Sequence, residues 1–351
     1  MLCGLRVLFT LALLLTTQCS WAAIILQYHH VSETTPKVTS VTPAQFKQQM
    51  QYLADNGFRV VPLADVVQAI KSKQELPAKT VAITFDDGYR SIFDTARPIL
   101  KSFGFPYTLF VSVTPTAKGY SEMMSWQQLR QLADDGVTIA NHSYGHEHLI
   151  RKLAGETEAQ WLARVKQNLL DTEAELLAKT GQDVKMLAYP YGEYNAALQQ
   201  LLSELGYVGF GQQSGAAGPY SSLTALPRFP VAGAYANMAS LQVKLQARNM
   251  PVISSFPTDP ELREGHWRPT LQVTLDMQDI NPAQLLCYLP GQDAVKPEWT
   301  SNDSFQIQAD KPLPAGRSRY NCTVPSKHGS GYYWFSQAWV RPDDRGQWLV
   351  E

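Results

Sequence analysis

Between about residue 24 and residue 256 the chain alternates short apolar runs with stretches whose apolar positions recur every three or four residues. Residues 24–28, 58–61, 81–85, 107–113, 137–140, 186–189 and 207–210 read as buried strands. Helical spacing falls between them, at residues 43–56, 63–71, 90–103, 125–135, 156–179 and 195–205. The first helix places Phe46, Met50 and Leu53 on one face, and Gly57 follows its end. The longest sets Trp161, Val165, Leu169, Leu176 and Leu177 along its apolar side and stops before Gly181. Repeated βα units of this length predict a parallel sheet, either a barrel or an open doubly wound sheet.

Near Pro251 the pattern changes. Phe256-Pro257-Thr258-Asp259-Pro260 reads as a linker. Beyond it, residues 271–275 and 304–308 alternate strictly, and residues 332–335 and 338–340 read as further strands. No helical pattern remains, so residues 258–351 predict a small antiparallel β-sandwich. Its aromatics Trp299, Tyr332, Tyr333, Trp334, Trp339 and Trp348 are expected mostly in its core; a sugar-stacking face or packing on the first domain is the other reading. The expected organisation is a leader over 1–22, a catalytic domain over 23–256 and a β-rich domain over 257–351.

The leader rests on Arg6, the apolar run 7–15 and small residues in Ser20-Trp21-Ala22, which predict a signal peptide cleaved after Ala22. The run is too short to span a bilayer as a mature helix, and Thr16-Thr17-Gln18 does not resemble the approach to a lipid-anchored cysteine at Cys19. The mature chain is therefore expected to be exported, periplasmic or extracellular, with no membrane span. Cys287 and Cys322 then remain as an even pair in an oxidising compartment and predict a disulfide. A net charge of −1 over 351 residues gives no electrostatic case for nucleic acid. It leaves oligomeric state open.

Two short motifs carry the chemistry. Thr84-Phe85-Asp86-Asp87-Gly88 closes a predicted strand, so two carboxylates stand at a strand's C-terminal edge, where α/β folds build sites. Asn141-His142-Ser143-Tyr144-Gly145-His146 places two imidazoles four residues apart at the end of another. One carboxylate and two histidines make a three-ligand set with an open position, and the second carboxylate is free to act as a base. The combination predicts metal-assisted hydrolysis.

With Tyr189-Pro190-Tyr191-Gly192 as a third motif in the same order, the chain resembles the polysaccharide deacetylases, the carbohydrate esterase family with a NodB homology domain, over roughly residues 24–235. The resemblance implies a distorted (β/α) barrel. It makes Asp86 the general base, and Asp87, His142 and His146 the ligands of a divalent metal, usually zinc; cobalt, nickel or iron suit the same donors. It gives the Tyr191 backbone N–H to the oxyanion and places Tyr189 and Pro190 beside the substrate. Gln27-Tyr28-His29-His30-Val31 and the segment 103–108 resemble the branch of exported poly-β-1,6-N-acetylglucosamine deacetylases.

Two departures accompany the resemblance. Many members carry an arginine two residues before the third motif's proline, where this chain has Ala188; Arg228 is its expected replacement, a surface ion pair the other reading. Many also supply a late histidine as general acid, but residues 195–260 contain none. His29 and His30, which follow the first strand and are also expected to bind substrate, or Asp86 returning its proton, are the candidates; His266 falls in the expected linker region, and His148 reads as solvent- or substrate-facing. The expected function is N-deacetylation of an N-acetylglucosamine polymer. Chitin oligomers, peptidoglycan or acetylxylan are alternative substrates, and non-catalytic glycan binding is the alternative of another class.

Overall fold

A computed structural model describes residues 19–20 and 22–349. Most of the expected leader lies outside the described residues; Cys19–Ser20 pairs antiparallel with Leu76–Pro77. Among the described residues no helix is long and apolar enough to cross a membrane.

Eight strands build the main sheet of the first domain: β1 (Ile24–Tyr28), β2 (Arg59–Val60), β3 (Thr80–Phe85), β4 (Thr108–Val111), β5 (Thr138–Asn141), β6 (Met186–Ala188), β7 (Val208–Phe210) and β8 (Phe229–Pro230). Seven lie in the order β7-β6-β5-β4-β3-β1-β8, all parallel, and β2 flanks the first residues of β3. A bridge between Phe210 and Leu226 crosses the gap between β7 and β8, so the sheet curls most of the way to a barrel. Alternate residues feed two cores, as parallel strands covered on both faces do. Leu26, Ile83, Phe85 and Leu109 pack under the helices α1 (Pro43–Asp55) and α3 (Arg97–Phe103). Ile25, Ala82, Phe110, Ala140 and Ala188 face inward, against α2 (Leu63–Ser72).

The helices form where the spacing places them, with local corrections. Thr42 and Gln45 close a capping box at the start of α1. The stretch expected as one helix over 90–103 begins with a π-helical turn, Ile92–Ala96. Pro98 lacks an N–H and so breaks the i→i−4 ladder at the junction with α3. The remaining helices are α4 (Val113–Ala117), α5 (Trp126–Asp134), α6 (Glu158–Thr180), α7 (Ala196–Leu205) and α8 (Met238–Lys244). Leu177, assigned from spacing to the apolar side of α6, is exposed; Thr172 and Glu173 are buried on that helix instead.

The second domain is a sandwich of two four-stranded sheets. One runs β9 (Ala247–Asn249), β16 (Tyr332–Arg341), β15 (Gly316–Pro325), β12 (Leu286–Tyr288). The other runs β10 (Val252–Phe256), β11 (Thr270–Leu275), β14 (Ser304–Gln308), β13 (Glu298–Trp299). Leu271, Val273, Phe305, Ile307, Tyr320 and Trp339 fill the space between them. Cys287 and Cys322 stand directly opposite on β12 and β15 and form the disulfide.

The expected boundary at residues 256 and 257 is too late. Residues 247–249 and 252–256 already pair within the sandwich, because this short, largely exposed segment lays its backbone along the sheet edges. The expected linker is also tied down: the Val340 N–H donates to the Pro260 carbonyl and the Leu262 N–H to the Val340 carbonyl. Residues 332–341 form one strand rather than two. Of the six aromatics, Trp339 is core, while Tyr332 and Trp334 pack on the barrel and Trp348 against the α6–α7 side. Docking of the sandwich therefore brings β15 alongside the barrel loops that follow β6.

Candidate metal-centred active site

The functional side chains gather at the C-terminal edge of the parallel sheet. Asp86 and Asp87 follow β3, His142 follows β5, residues 189–192 follow β6, and Arg228 immediately precedes β8. The turns that aim them are unusual. Among the described residues six non-glycine residues have positive φ, and Asp87 (74°), Ser143 (64°), His146 (61°) and Tyr191 (59°) are four of them. Such conformations persist only where the surroundings over-determine them. Gly192 follows Tyr191 at φ 70°, and a Cβ there would stand 2.6 Å from Gln212 Cβ; the loop after β6 is built for glycine at that point.

Asp87 Oδ1 is buried and meets no hydrogen-bond donor in good geometry. His142 Nε2 approaches it at 3.1 Å and His146 Nε2 at 3.2 Å. The three ligand atoms lie within 4.8 Å of one another. Donors about 2.0–2.2 Å from a tetrahedral ion stand roughly 3.3 Å apart, so this oxygen and these nitrogens fit a divalent metal such as zinc. Around them the protein fixes orientation. The Ala188 carbonyl lies 2.7 Å from His142 Nδ1, which commits the proton to that nitrogen and leaves Nε2 free to ligate. Ser112 Oγ donates to the His142 carbonyl at 2.7 Å. Buried Asn141 accepts the Ser143 N–H at 2.9 Å and donates to Glu173 at 3.0 Å, tying the ligand loop to α6.

Asp86 is fully buried and does not share this cluster. Arg228, also fully buried, grips it with two parallel bonds: Nη1 to Oδ1 at 2.7 Å and Nη2 to Oδ2 at 2.8 Å. Gln27 Nε2 adds a third at 2.6 Å. Burial pushes the Asp86 carboxyl up, but the Arg228 guanidinium, with His142 and His29, outweighs it and holds the group below the ordinary carboxylate value. Burial likewise raises Asp87, and the two imidazoles against it carry it well below.

Residues 73–210 match the polysaccharide deacetylase family model. The curled sheet is that of the solved Streptococcus pyogenes deacetylase PplD in complex with acetate, with TM-score 0.57, 24% identity, and coverage of 64% of this chain and 98% of that one. The structure of IcaB from Ammonifex degensii matches with TM-score 0.57, 23% identity, and coverage of 64% and 97%. The chain carries a polysaccharide deacetylase domain.

By sequence it is 25% identical over 334 residues to the poly-β-1,6-N-acetyl-D-glucosamine N-deacetylase of Escherichia coli K12, covering 82% of this chain and 49% of that one. It is 26% identical over 232 residues to the enzyme of that name from Staphylococcus epidermidis, covering 60% and 79%. The chain thus spans about half the length of the Escherichia coli relatives it matches.

Within the deacetylase domain, most of the residues singled out from sequence converge and some do not. Asp87, His142 and His146 come together, and Asp86 stands next to Asp87 in the chain without joining their cluster. Arg228 is no surface ion pair; it is buried against Asp86. Tyr189 and Pro190, expected beside substrate, are buried: the Tyr189 ring stacks on Tyr194 and its hydroxyl donates to the Thr224 carbonyl, because Tyr189, one residue past inward-facing Ala188, points to the opposite face, among the residues under α6 and α7. His30 is buried with its ring stacked on Tyr89 at 3.6 Å, while His29 stays partly exposed. Burial, then His29, push the His30 imidazole down to about 4 against the pull of Asp87 and Glu122. His148 stacks flat on Tyr191 at 3.7 Å, and its Nδ1 meets Glu193 at 2.8 Å. His266 is an exposed loop residue whose Nδ1 lies 3.1 Å from the Glu264 carbonyl. Gln27 was visible only as part of an opening motif; a polar residue inside a buried apolar strand was the signal of its role.

Proposed function

We propose that this chain is an exported, metal-dependent N-deacetylase that hydrolyses the acetamido groups of an N-acetylglucosamine polymer, poly-β-1,6-N-acetylglucosamine foremost, to free amines and acetate. The observation that carries this reading is the pairing of a three-donor cluster, Asp87, His142 and His146, with a second carboxylate beside it that Arg228 keeps ionised. The activity named for the Escherichia coli and Staphylococcus epidermidis relatives supports the substrate class. Zinc is the ion proposed, with cobalt, nickel or iron as substitutes, and the periplasm or the exterior is the proposed location.

A divalent ion in the cluster would supply a Lewis acid for the acetyl carbonyl and lower the pKa of the attacking water. Asp86, charged at neutral pH, accepts the proton that the water loses. The Tyr191 N–H is assigned to the carbonyl oxygen as negative charge builds on it. The amine must leave protonated. His30, with its pKa near 4, is neutral at working pH and does not supply that proton. His29, partly exposed at the end of β1, is the proposed donor.

The test is acetate release from β-1,6- and β-1,4-linked N-acetylglucosamine oligomers after chelation and after metal is restored, with Asp86→Asn alongside. Metal-restored release that Asp86→Asn abolishes, faster on the β-1,6 series, is the expected result. Release from neither series by metal-loaded protein would exclude the proposed substrate.

A further inference from the structure

The strained turn at Tyr191 is held partly from outside the deacetylase domain. Arg317 lies on β15 of the sandwich, and its Nη1 donates to the Tyr191 carbonyl at 3.2 Å. The same guanidinium sits over the Tyr191 ring, 5.5 Å from its centre. On the domain's own side, His148 stacks on that ring at 3.7 Å with the planes 4° apart, and His146 meets it edge-on at 4.5 Å. Buried Glu193 anchors His148. Two residues along β15, Arg319 Nη1 donates to the Gln212 carbonyl at 3.1 Å. Gln212 is the residue against which Gly192 packs. Both sides of the left-handed pair Tyr191-Gly192 are thus in contact with β15 or with a residue that β15 holds.

The geometry points to Arg317 as a positioning residue through which the C-terminal sandwich completes the active site. A non-glycine residue at φ 59° and ψ 1° relaxes towards ordinary backbone angles unless its neighbours prevent it. An oxyanion donor stabilises developing charge only when its direction is set in advance. Arg317 fixes the carbonyl and the ring of the same residue whose N–H is assigned to the oxyanion, so it acts on the transition state through Tyr191 rather than by touching substrate. The inference rests on the proposed deacetylase reading for its kinetic half and on the geometry alone for its structural half.

The experiment compares wild type with Arg317→Ala in two measurements on the full chain. Hydrogen–deuterium exchange is followed over the peptide containing residues 187–195, with metal bound. Faster exchange there, with the rest of the barrel and the sandwich unchanged, is expected. On an N-acetylglucosamine oligomer, kcat is expected to fall about tenfold, less than the roughly 10²–10³ for outright loss of an oxyanion donor, while KM and bound metal stay within about twofold. Unchanged exchange overturns the clamp whatever the substrate proves to be. Faster exchange with unaltered kcat, or a change confined to KM, overturns the positioning role. A wild type inactive on every acetylated glycan would remove the deacetylase reading and leave the exchange result to decide the clamp.

Discussion

Arg228 and Asp86, 142 residues apart in the chain, face each other as a doubly hydrogen-bonded ion pair with neither side chain exposed to solvent. A buried charge stripped of its partner costs about 3–5 kcal/mol, whereas the intact pair holds one carboxylate ionised in one orientation. The same contact therefore bears on stability and on the state of the proposed base.

Asp86→Asn should consequently destabilise the protein as well as inactivate it. The Asp86 carboxyl is held below its unfolded value, so its contribution is fully present above that value and is lost as pH falls through the folded one. Urea unfolding should find the variant weaker by about 3–5 kcal/mol at pH 7. The difference should narrow once the pH drops below the ordinary carboxylate value of about 4. An equal deficit at pH 7 and pH 3 would contradict the assignment.

Metal should stabilise the fold through the three-donor cluster. At a hundred times its Kd, an ion bound only by the native state adds about 2.7 kcal/mol. Thermal unfolding after chelation should therefore move up by several degrees when zinc is returned. His146→Ala should show little of that rise, since it removes one ligand of three. A rise of wild-type size in that variant would place the ion elsewhere.

Asn141→Ala tests how the ligand loop is supported. Asn141 touches none of the three donors in a ligating role, yet it holds the Ser143 N–H between His142 and His146 and links it to Glu173. Loss of such support typically weakens metal affinity about 10–100-fold. Competition with a chromophoric chelator would measure this, and an unchanged affinity would mean that Ser112 and the Ala188 carbonyl suffice.

The disulfide tests the sandwich. Cys287 and Cys322 close a loop of sequence separation 35, which in the chain-entropy picture contributes roughly 3–4 kcal/mol. The double Cys→Ser variant should unfold at correspondingly lower urea. If the sandwich steadies the Tyr191 turn, the variant should also lose kcat before it loses the barrel's circular dichroism. Concurrent loss of both signals would mean that the two domains unfold as one unit.

Much of the site was legible without the fold because its ligands are local. Asp86 and Asp87 are adjacent at one strand end, and His142 and His146 share one short loop, so apolar runs and spacing sufficed to bring them to one edge of a parallel sheet. The bounds of β1 and β3 to β7 followed from hydrophobic pattern to within about two residues, since strands buried on both faces must be apolar throughout. What the tertiary structure decided involves separations that no local pattern records: Gln27 to Asp86 over 59 residues, Tyr191 to Arg317 over 126, Asp86 to Arg228 over 142. It also reversed Tyr189, which an exposed motif and a buried strand end render identically in one dimension. Strand order and domain docking bring a long guanidinium to its carboxylate or carbonyl, and they follow from the packing of the whole sheet rather than from the residues on either side.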